Sequence, residues 1–175
     1  LNTGIESLDR VLRGLLPGDN LVWQAEAMAD FAPFAAPYAE AARQLGRRFV
    51  YFRFDPTSPA LLQADEGIQI CSLDLEQGFE KIVIQIRRVI RENGRGAYFL
   101  FDCLSVLADE WCSDRMLGNF FKLICPYVYD MESLAYFPLL RRQHSSDAVA
   151  PITQTTQIFI DIYRHRGNLY LHPSK

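Results

Sequence analysis

The stretch Ala97-Tyr98-Phe99-Leu100-Phe101-Asp102 decides the fold, because five apolar or aromatic residues run unbroken up to an aspartate. No polar residue alternates with them, so neither face of a strand at 97–101 would meet water. Unbroken runs of this kind are typical of strands at the centre of a parallel sheet that helices cover on both faces. We therefore predict an inner parallel strand with Asp102 at its carboxyl end.

Strands and helices alternate along the rest of the chain. The clearest helix is predicted over 76–93, where apolar residues recur at helical spacing and Asn93-Gly94 ends the pattern. Further strands are predicted at 20–24, 48–54, 68–71, 134–139, 156–163 and 169–171, and further helices at 31–45 and 115–125. The last two strands flank Arg164–Asn168 and are predicted to form a closing hairpin. This order predicts an α/β domain with a mostly parallel central sheet and antiparallel C-terminal strands.

Two connections carry more specific expectations. Asp30 is predicted to cap the helix at 31–45, in which Pro33 fits the first turn and Pro37 interrupts the helix. The segment 144–154 is predicted to be a polar connection with at most a helical turn.

The composition of the chain argues against nucleic-acid binding and membrane association. The chain has 175 residues and a net charge of −3, which fit one domain without a general attraction to nucleic acid or anionic membranes. No apolar run approaches the roughly 20 residues of a membrane span, and the sequence shows no charged-then-apolar pattern of a signal peptide, so a membrane partner is not expected. We expect a cytoplasmic protein. Because the chain opens on Leu1 within a motif-like stretch, we interpret 1–175 as one domain cut from a longer protein.

Three stretches resemble the KaiC/RecA/RadA branch of P-loop ATPases. The opening residues, from Thr3-Gly4-Ile5 to Leu16-Pro17-x-Asp19, are similar to the first motif of KaiC-like domains. The run 98–107 resembles their Walker B strand, and 144–167 resembles the end of their core. The resemblance covers nearly the whole chain and implies a RecA-like three-layer domain.

The phosphate-binding loop that the resemblance implies is missing. Such a loop needs glycines, which let backbone N–H groups turn inward, and a lysine for the phosphates. Neither residue type occurs between Gly18 and Gly46, and Glu26 and Asp30 stand where phosphates would lie. We interpret both as surface or capping residues, with a rebuilt site for a cationic ligand as the alternative. The bulky Phe31 and Phe34 are expected to plug the pocket.

Two further acidic residues match functional positions of the family, but each lacks the neighbours that the family's site uses. Asp102 matches the Walker B aspartate, and Asp55 occupies the acidic position after the second strand but is followed by Pro56. We expect loop N–H groups to bind Asp102, with residual ligand or metal binding as the alternative, and Asp55 to begin an Asx turn. We expect no catalytic residues, no cofactor and no metal site.

The remaining candidates have simpler explanations. The cysteines are interpreted as buried apolar residues in a reducing compartment, with a catalytic thiol or a metal site as the alternative. None forms a Cys-x-x-Cys pair, and no histidine is identifiable as a base for Cys103. The histidines form no recognisable metal-ligand set. The basic clusters 47–48, 141–142 and 164–166 are interpreted as solvated strand and turn ends, so nucleic acid is not an expected partner. Phe31, Phe34 and Tyr38 are assigned to the core, with a partner groove as the alternative.

These observations predict a non-catalytic KaiC/RecA-like module with a regulatory or assembly role in a larger protein. Its expected partners are a second copy of the chain or a fused domain. The alternatives are a residual nucleotide-binding protein or weak ATPase with a remodelled phosphate site, and a module that binds DNA or another ligand.

Overall fold

The computed structural model describes residues 1–175, which form one seven-stranded sheet with helices on both faces. The strands are β1 (Asn20–Ala25), β2 (Phe49–Arg53), β3 (Ile68–Ser72), β4 (Tyr98–Phe101), β5 (Leu134–Leu140), β6 (Ile158–His165) and β7 (Asn168–Pro173). The α-helices are α1 (Glu6–Leu12), α2 (Met28–Phe31), α3 (Ala35–Gln44), α4 (Phe79–Asn93), α5 (Ser105–Glu110), α6 (Asp114–Asp130) and α7 (Ser146–Thr155). Short 3₁₀ turns lie at Ala32–Phe34 and Leu75–Gln77.

The strand order is β3-β2-β4-β5-β1-β6-β7. Every neighbouring pair is parallel except β6 and β7, which form the predicted hairpin. The fold class is therefore confirmed as a three-layer α/β domain with a mostly parallel sheet and an antiparallel C-terminal end.

Strand β4 shows why the sheet needs helices on both faces. Phe99 and Phe101 belong to the core shared with α4, α5, α6 and α7, whereas Tyr98 and Leu100 belong to the core shared with α1, α2 and α3. All four side chains are fully buried. The unbroken apolar run is thus explained by burial on two sides, as predicted.

Helix α4 follows directly from its sequence. One face is apolar and buried, formed by Ile82, Val83, Ile86, Val89 and Ile90. Gly78 and Gly94 flank the helix with positive φ angles of 86° and 77°, a conformation that glycine adopts without strain.

The segment after β1 differs from the prediction. Pro37 lies in the first turn of α3, where a missing N–H costs no helical hydrogen bond, so the interruption falls at Ala32–Phe34 instead. Asp30 is not a cap, because it lies inside α2, whose N-cap is Ala27.

Four other helices were missed or shortened in the sequence analysis. The polar connection is the ten-residue helix α7, in which the Ser145 hydroxyl caps the backbone N–H of Ala148. Helix α6 continues past Pro126 to Asp130. Helices α1 and α5 were not predicted, because seven and six residues are too few to display a helical period. None of the helices is both long and apolar enough to span a membrane.

Candidate functional site

A cavity of about 500 Å³ lies at the carboxyl edge of the sheet, where open α/β folds bind their ligands. It lies between α2, the loop after β2, α5 and the end of β5. Eight of its fifteen lining residues are hydrophobic, and Asp55, Asp102 and Asp109 are its only charged ones. A ligand here would meet apolar walls and negative charge.

Asp102 is 9% exposed and has its oxygens occupied by donors from the β2 side. The Tyr51 hydroxyl donates to Oδ1 at 2.6 Å, and the backbone N–H of Phe54 donates to Oδ2 at 3.0 Å. Burial, together with the bond to Asp102, raises the pKa of Tyr51 above its ordinary value, so this hydroxyl stays protonated. The predicted loop N–H bond is present, and Tyr51 is the partner that sequence analysis missed.

Asp55 forms the Asx turn that the sequence predicts. Its Oδ1 accepts the backbone N–H of Thr57 at 2.8 Å and the Thr57 hydroxyl at 2.5 Å, while the Ser58 hydroxyl bonds to Oδ2. These donors, with Ser58 the strongest, lower the pKa of Asp55 to about 2. The carboxylate therefore shapes the loop at the rim of the cavity.

The connection from β1 to α2 carries arginine–carboxylate pairs. Glu26 contacts Arg141 at 3.3 Å, and Arg141 donates to Asp161 at 2.8 Å. The Glu26 contact is an ion pair without an aligned hydrogen bond, since Arg141 Nε has no well-placed acceptor. Asp30 binds Arg164 at 2.6 Å.

These pairs change two sequence-based interpretations. Asp30 is neither a surface residue nor a cap, because it is largely buried and balances an arginine that lies 134 positions away. Arg141 and Arg164 were assigned to solvated ends, but each binds a carboxylate. Glu26 is half-exposed, as expected.

The aromatic residues of this region pack beneath the cavity rather than inside it. Phe31 is fully buried and Phe34 is partly buried, and both contact Trp23, with ring centroids 5.8 and 5.2 Å apart. Tyr38 stacks on Tyr136 at 3.6 Å. Their assignment to the core is confirmed. The expectation of a plugged pocket is wrong, because the phenyl rings face the sheet and the small side chains of Ala29 and Ala32 line the open space.

A chain of hydrogen bonds joins three residues that the sequence does not bring together. Ser105 Oγ lies 2.7 Å from His144 Nε2, and His144 Nδ1 lies 2.8 Å from Asp114 Oδ1. The His144 side chain is only 2% exposed. Ser105 lines the cavity and lies two residues after Cys103. The histidine that could act as a base therefore bonds to the Ser105 hydroxyl and not to the Cys103 thiol that the sequence analysis considered. No local motif could have revealed this set, because its members are 9 to 39 positions apart.

The other titratable residues do not form a second site. No group of three or more His, Cys, Asp or Glu side chains is arranged to hold a metal ion. All four cysteines are free. Cys103 and Cys125 are buried as predicted, but Cys71 is only partly buried and Cys112 is exposed, so the prediction of buried cysteines is wrong for these two.

Comparison with known proteins gives no family, because no protein-family model matches the chain and no curated protein matches it.

Proposed function

We propose that this chain is a KaiC/RecA-like module that neither binds nor hydrolyses ATP and that has a regulatory or assembly role in a larger protein. The observation that carries the proposal is the segment from the end of β1 through α2, in which Glu26 and Asp30 pair with arginines and no lysine is present.

The electrostatics of the edge argue against a triphosphate. Phosphates need converging N–H groups and a cation, and magnesium needs oxygen ligands that remain free. Here Arg141 and Arg164 already bind carboxylates, Asp102 accepts bonds from Tyr51 and Phe54, and the cavity lining contains aspartates but no lysine or arginine. A bound phosphate would be repelled by those aspartates.

The β6–β7 hairpin supports the assembly part of the proposal. Strand β7 is an edge of the sheet, and an edge strand offers unpaired backbone groups to another chain. Tyr163 and Tyr170 are cross-strand neighbours whose rings stack at 5.4 Å, and they are 46% and 43% exposed. Aromatic residues are enriched at protein interfaces. We infer that this aromatic pair contacts a second copy or a fused domain.

One observation favours the alternative of a residual nucleotide-binding protein. The cavity beside Asp102 is open, and about 500 Å³ lies within the range of small-molecule sites. A nucleotide could occupy it only by a mode that leaves its phosphates outside the acidic lining.

Calorimetry with magnesium-ATP separates the two functions. We expect no saturable heat at millimolar ATP and no phosphate release. Saturable binding that Asp102→Ala abolishes would refute the proposal and support the residual nucleotide site.

Sedimentation equilibrium tests the assembly role. We expect concentration-dependent self-association that the double variant Tyr163→Ser/Tyr170→Ser weakens. Tyr129→Ser is the matched control, because Tyr129 is 53% exposed on α6 rather than on the hairpin. An equal loss in the control, or a monomer at all concentrations, would exclude self-association through the hairpin.

A further inference from the structure

We propose that Ser105 is an acyl-accepting nucleophile, activated by His144 and Asp114, and that the cavity at the carboxyl edge takes small, uncharged or cationic carboxylic esters. This activity goes beyond the proposed module function and does not depend on it.

The hydrogen bonds around Ser105 fix the direction of its proton. The backbone N–H of Leu140 donates to Ser105 Oγ at 3.0 Å, so the hydroxyl hydrogen is free to point at His144 Nε2, 2.7 Å away. His144 Nδ1–H then donates to Asp114 Oδ1 at 2.8 Å. This is the order of donors and acceptors by which a histidine base activates a serine.

Asp114 is placed to hold the histidine and to balance its charge. The backbone N–H of Ser145 donates to Asp114 Oδ2 at 2.8 Å. That bond, followed by the one to His144, lowers the pKa of Asp114 below its ordinary value. An ionised carboxylate at neutral pH stabilises the imidazolium that forms when His144 takes a proton.

The nucleophile lies where a ligand would enter. Ser105 is the first residue of α5, and residues 102–104 connect it to the end of β4. Its side chain borders the cavity although the residue is only 1% exposed. Cys103 borders the same cavity, but burial raises the pKa of its thiol, and the two ring nitrogens of His144 bond to Asp114 and Ser105 instead. The hydroxyl is therefore the group that has a base.

The reaction balances without a cofactor. Ser105 Oγ bonds to the ester carbonyl carbon while its proton moves to His144 Nε2. The tetrahedral intermediate collapses, the C–O bond to the alcohol breaks, and the alcohol leaves with the proton from Nε2. Water then loses a proton to Nε2 while its oxygen bonds to the acyl carbon. The bond from that carbon to Ser105 Oγ breaks, the acid leaves, and Nε2 returns the proton to Oγ.

The cavity sets the class of substrate. Its apolar walls favour a short alkyl or aryl acyl group, and Asp55, Asp102 and Asp109 disfavour an anionic one. No lysine or arginine lines the cavity to offset them.

The test combines covalent labelling with turnover on the whole chain. A small uncharged alkyl fluorophosphonate is expected to label Ser105, as identified by peptide mass spectrometry. The chain is expected to hydrolyse p-nitrophenyl butyrate, and His144→Gln is expected to lower the rate about 100-fold or more. Ser105→Ala should abolish labelling and reduce hydrolysis to the background rate.

The control is Ser133→Ala, which also removes a buried serine hydroxyl but one that bonds to Met131 O rather than to a histidine. It should keep labelling and turnover at the wild-type level. Labelling of wild-type protein requires no variant to fold, so the absence of a label on Ser105 would overturn the proposal. Wild-type turnover by Ser105→Ala would also overturn it. Circular dichroism of each variant at the assay temperature identifies any loss of rate that comes from unfolding.

Discussion

Replacing Tyr51 by Phe tests how Asp102 is held at the carboxyl edge. The substitution keeps the ring, which is fully buried, and removes only the hydroxyl that donates to Asp102 at 2.6 Å. It also removes the acceptor of the backbone N–H of Leu61, which lies 3.3 Å from that oxygen. No cavity larger than one oxygen atom results, so the measured effect reports the two hydrogen bonds.

The expected loss follows from the charge of one partner. A hydrogen bond to an ionised group contributes about 1.5–3 kcal/mol, and a neutral one about 0.5–1.5 kcal/mol. Asp102 keeps the N–H of Phe54, which limits the cost. We therefore expect a decrease of about 2–3 kcal/mol in the free energy of unfolding. For a domain of this size, that decrease lowers the Tm by about 4–12 °C.

Urea unfolding followed by circular dichroism measures the change, and a double-mutant cycle assigns it. Tyr51→Phe, Asp102→Ala and the double variant should give a coupling energy above about 1 kcal/mol. Tyr129→Phe is the control, because it removes the hydroxyl of an exposed tyrosine on α6, away from the hairpin. A stability for Tyr51→Phe within about 0.5 kcal/mol of wild type, or additive single effects, would refute this account of Asp102.

Two further predictions concern the loops that border the sheet. Gly4→Ala should be strongly destabilising in thermal unfolding, because a Cβ would lie 2.1 Å from the backbone oxygen of Pro37 and the φ angle is +79°. Gly67→Ala, where φ is +96° and a Cβ would meet open space, should lower the free energy of unfolding by only about 1 kcal/mol. Equal losses of stability in the two variants would contradict the steric argument. Ser58→Ala should raise the pKa of Asp55 from about 2 toward its ordinary value of 3.8 in a carboxyl-carbon NMR titration. Because folding lowers the pKa of Asp55, the Asx turn contributes its full stability above about pH 4 and loses it as the pH falls toward 2. An unchanged pKa of Asp55 in Ser58→Ala would show that Ser58 is not the main donor.

Several features of the molecule were readable from local sequence. The apolar run at 97–101 identified an inner strand, and the spacing in 76–93 identified the helix now bounded as α4. The segment Arg164–Asn168 identified the hairpin, whose turn the structure narrows to residues 166–167. The absence of glycine and lysine between Gly18 and Gly46 was likewise complete in the sequence. The strand, helix and hairpin signals depend on residues that are close in sequence, which is the range over which side-chain periodicity and turn geometry act.

The tertiary structure alone decided which distant residues meet. Strand order places β1 between β5 and β6, and so brings Arg141 to Glu26 and Arg164 to Asp30. It also brings the β5–α7 connection against α5 and α6, where His144 joins Ser105 to Asp114. Local sequence patterns cannot predict such pairings, because the pairings depend on how whole strands and helices pack together. The sequence determined the layers, the Asx turn at Asp55 and the absence of glycine and lysine between Gly18 and Gly46. Packing of the layers decided the distant partners of Glu26, Asp30 and Asp102.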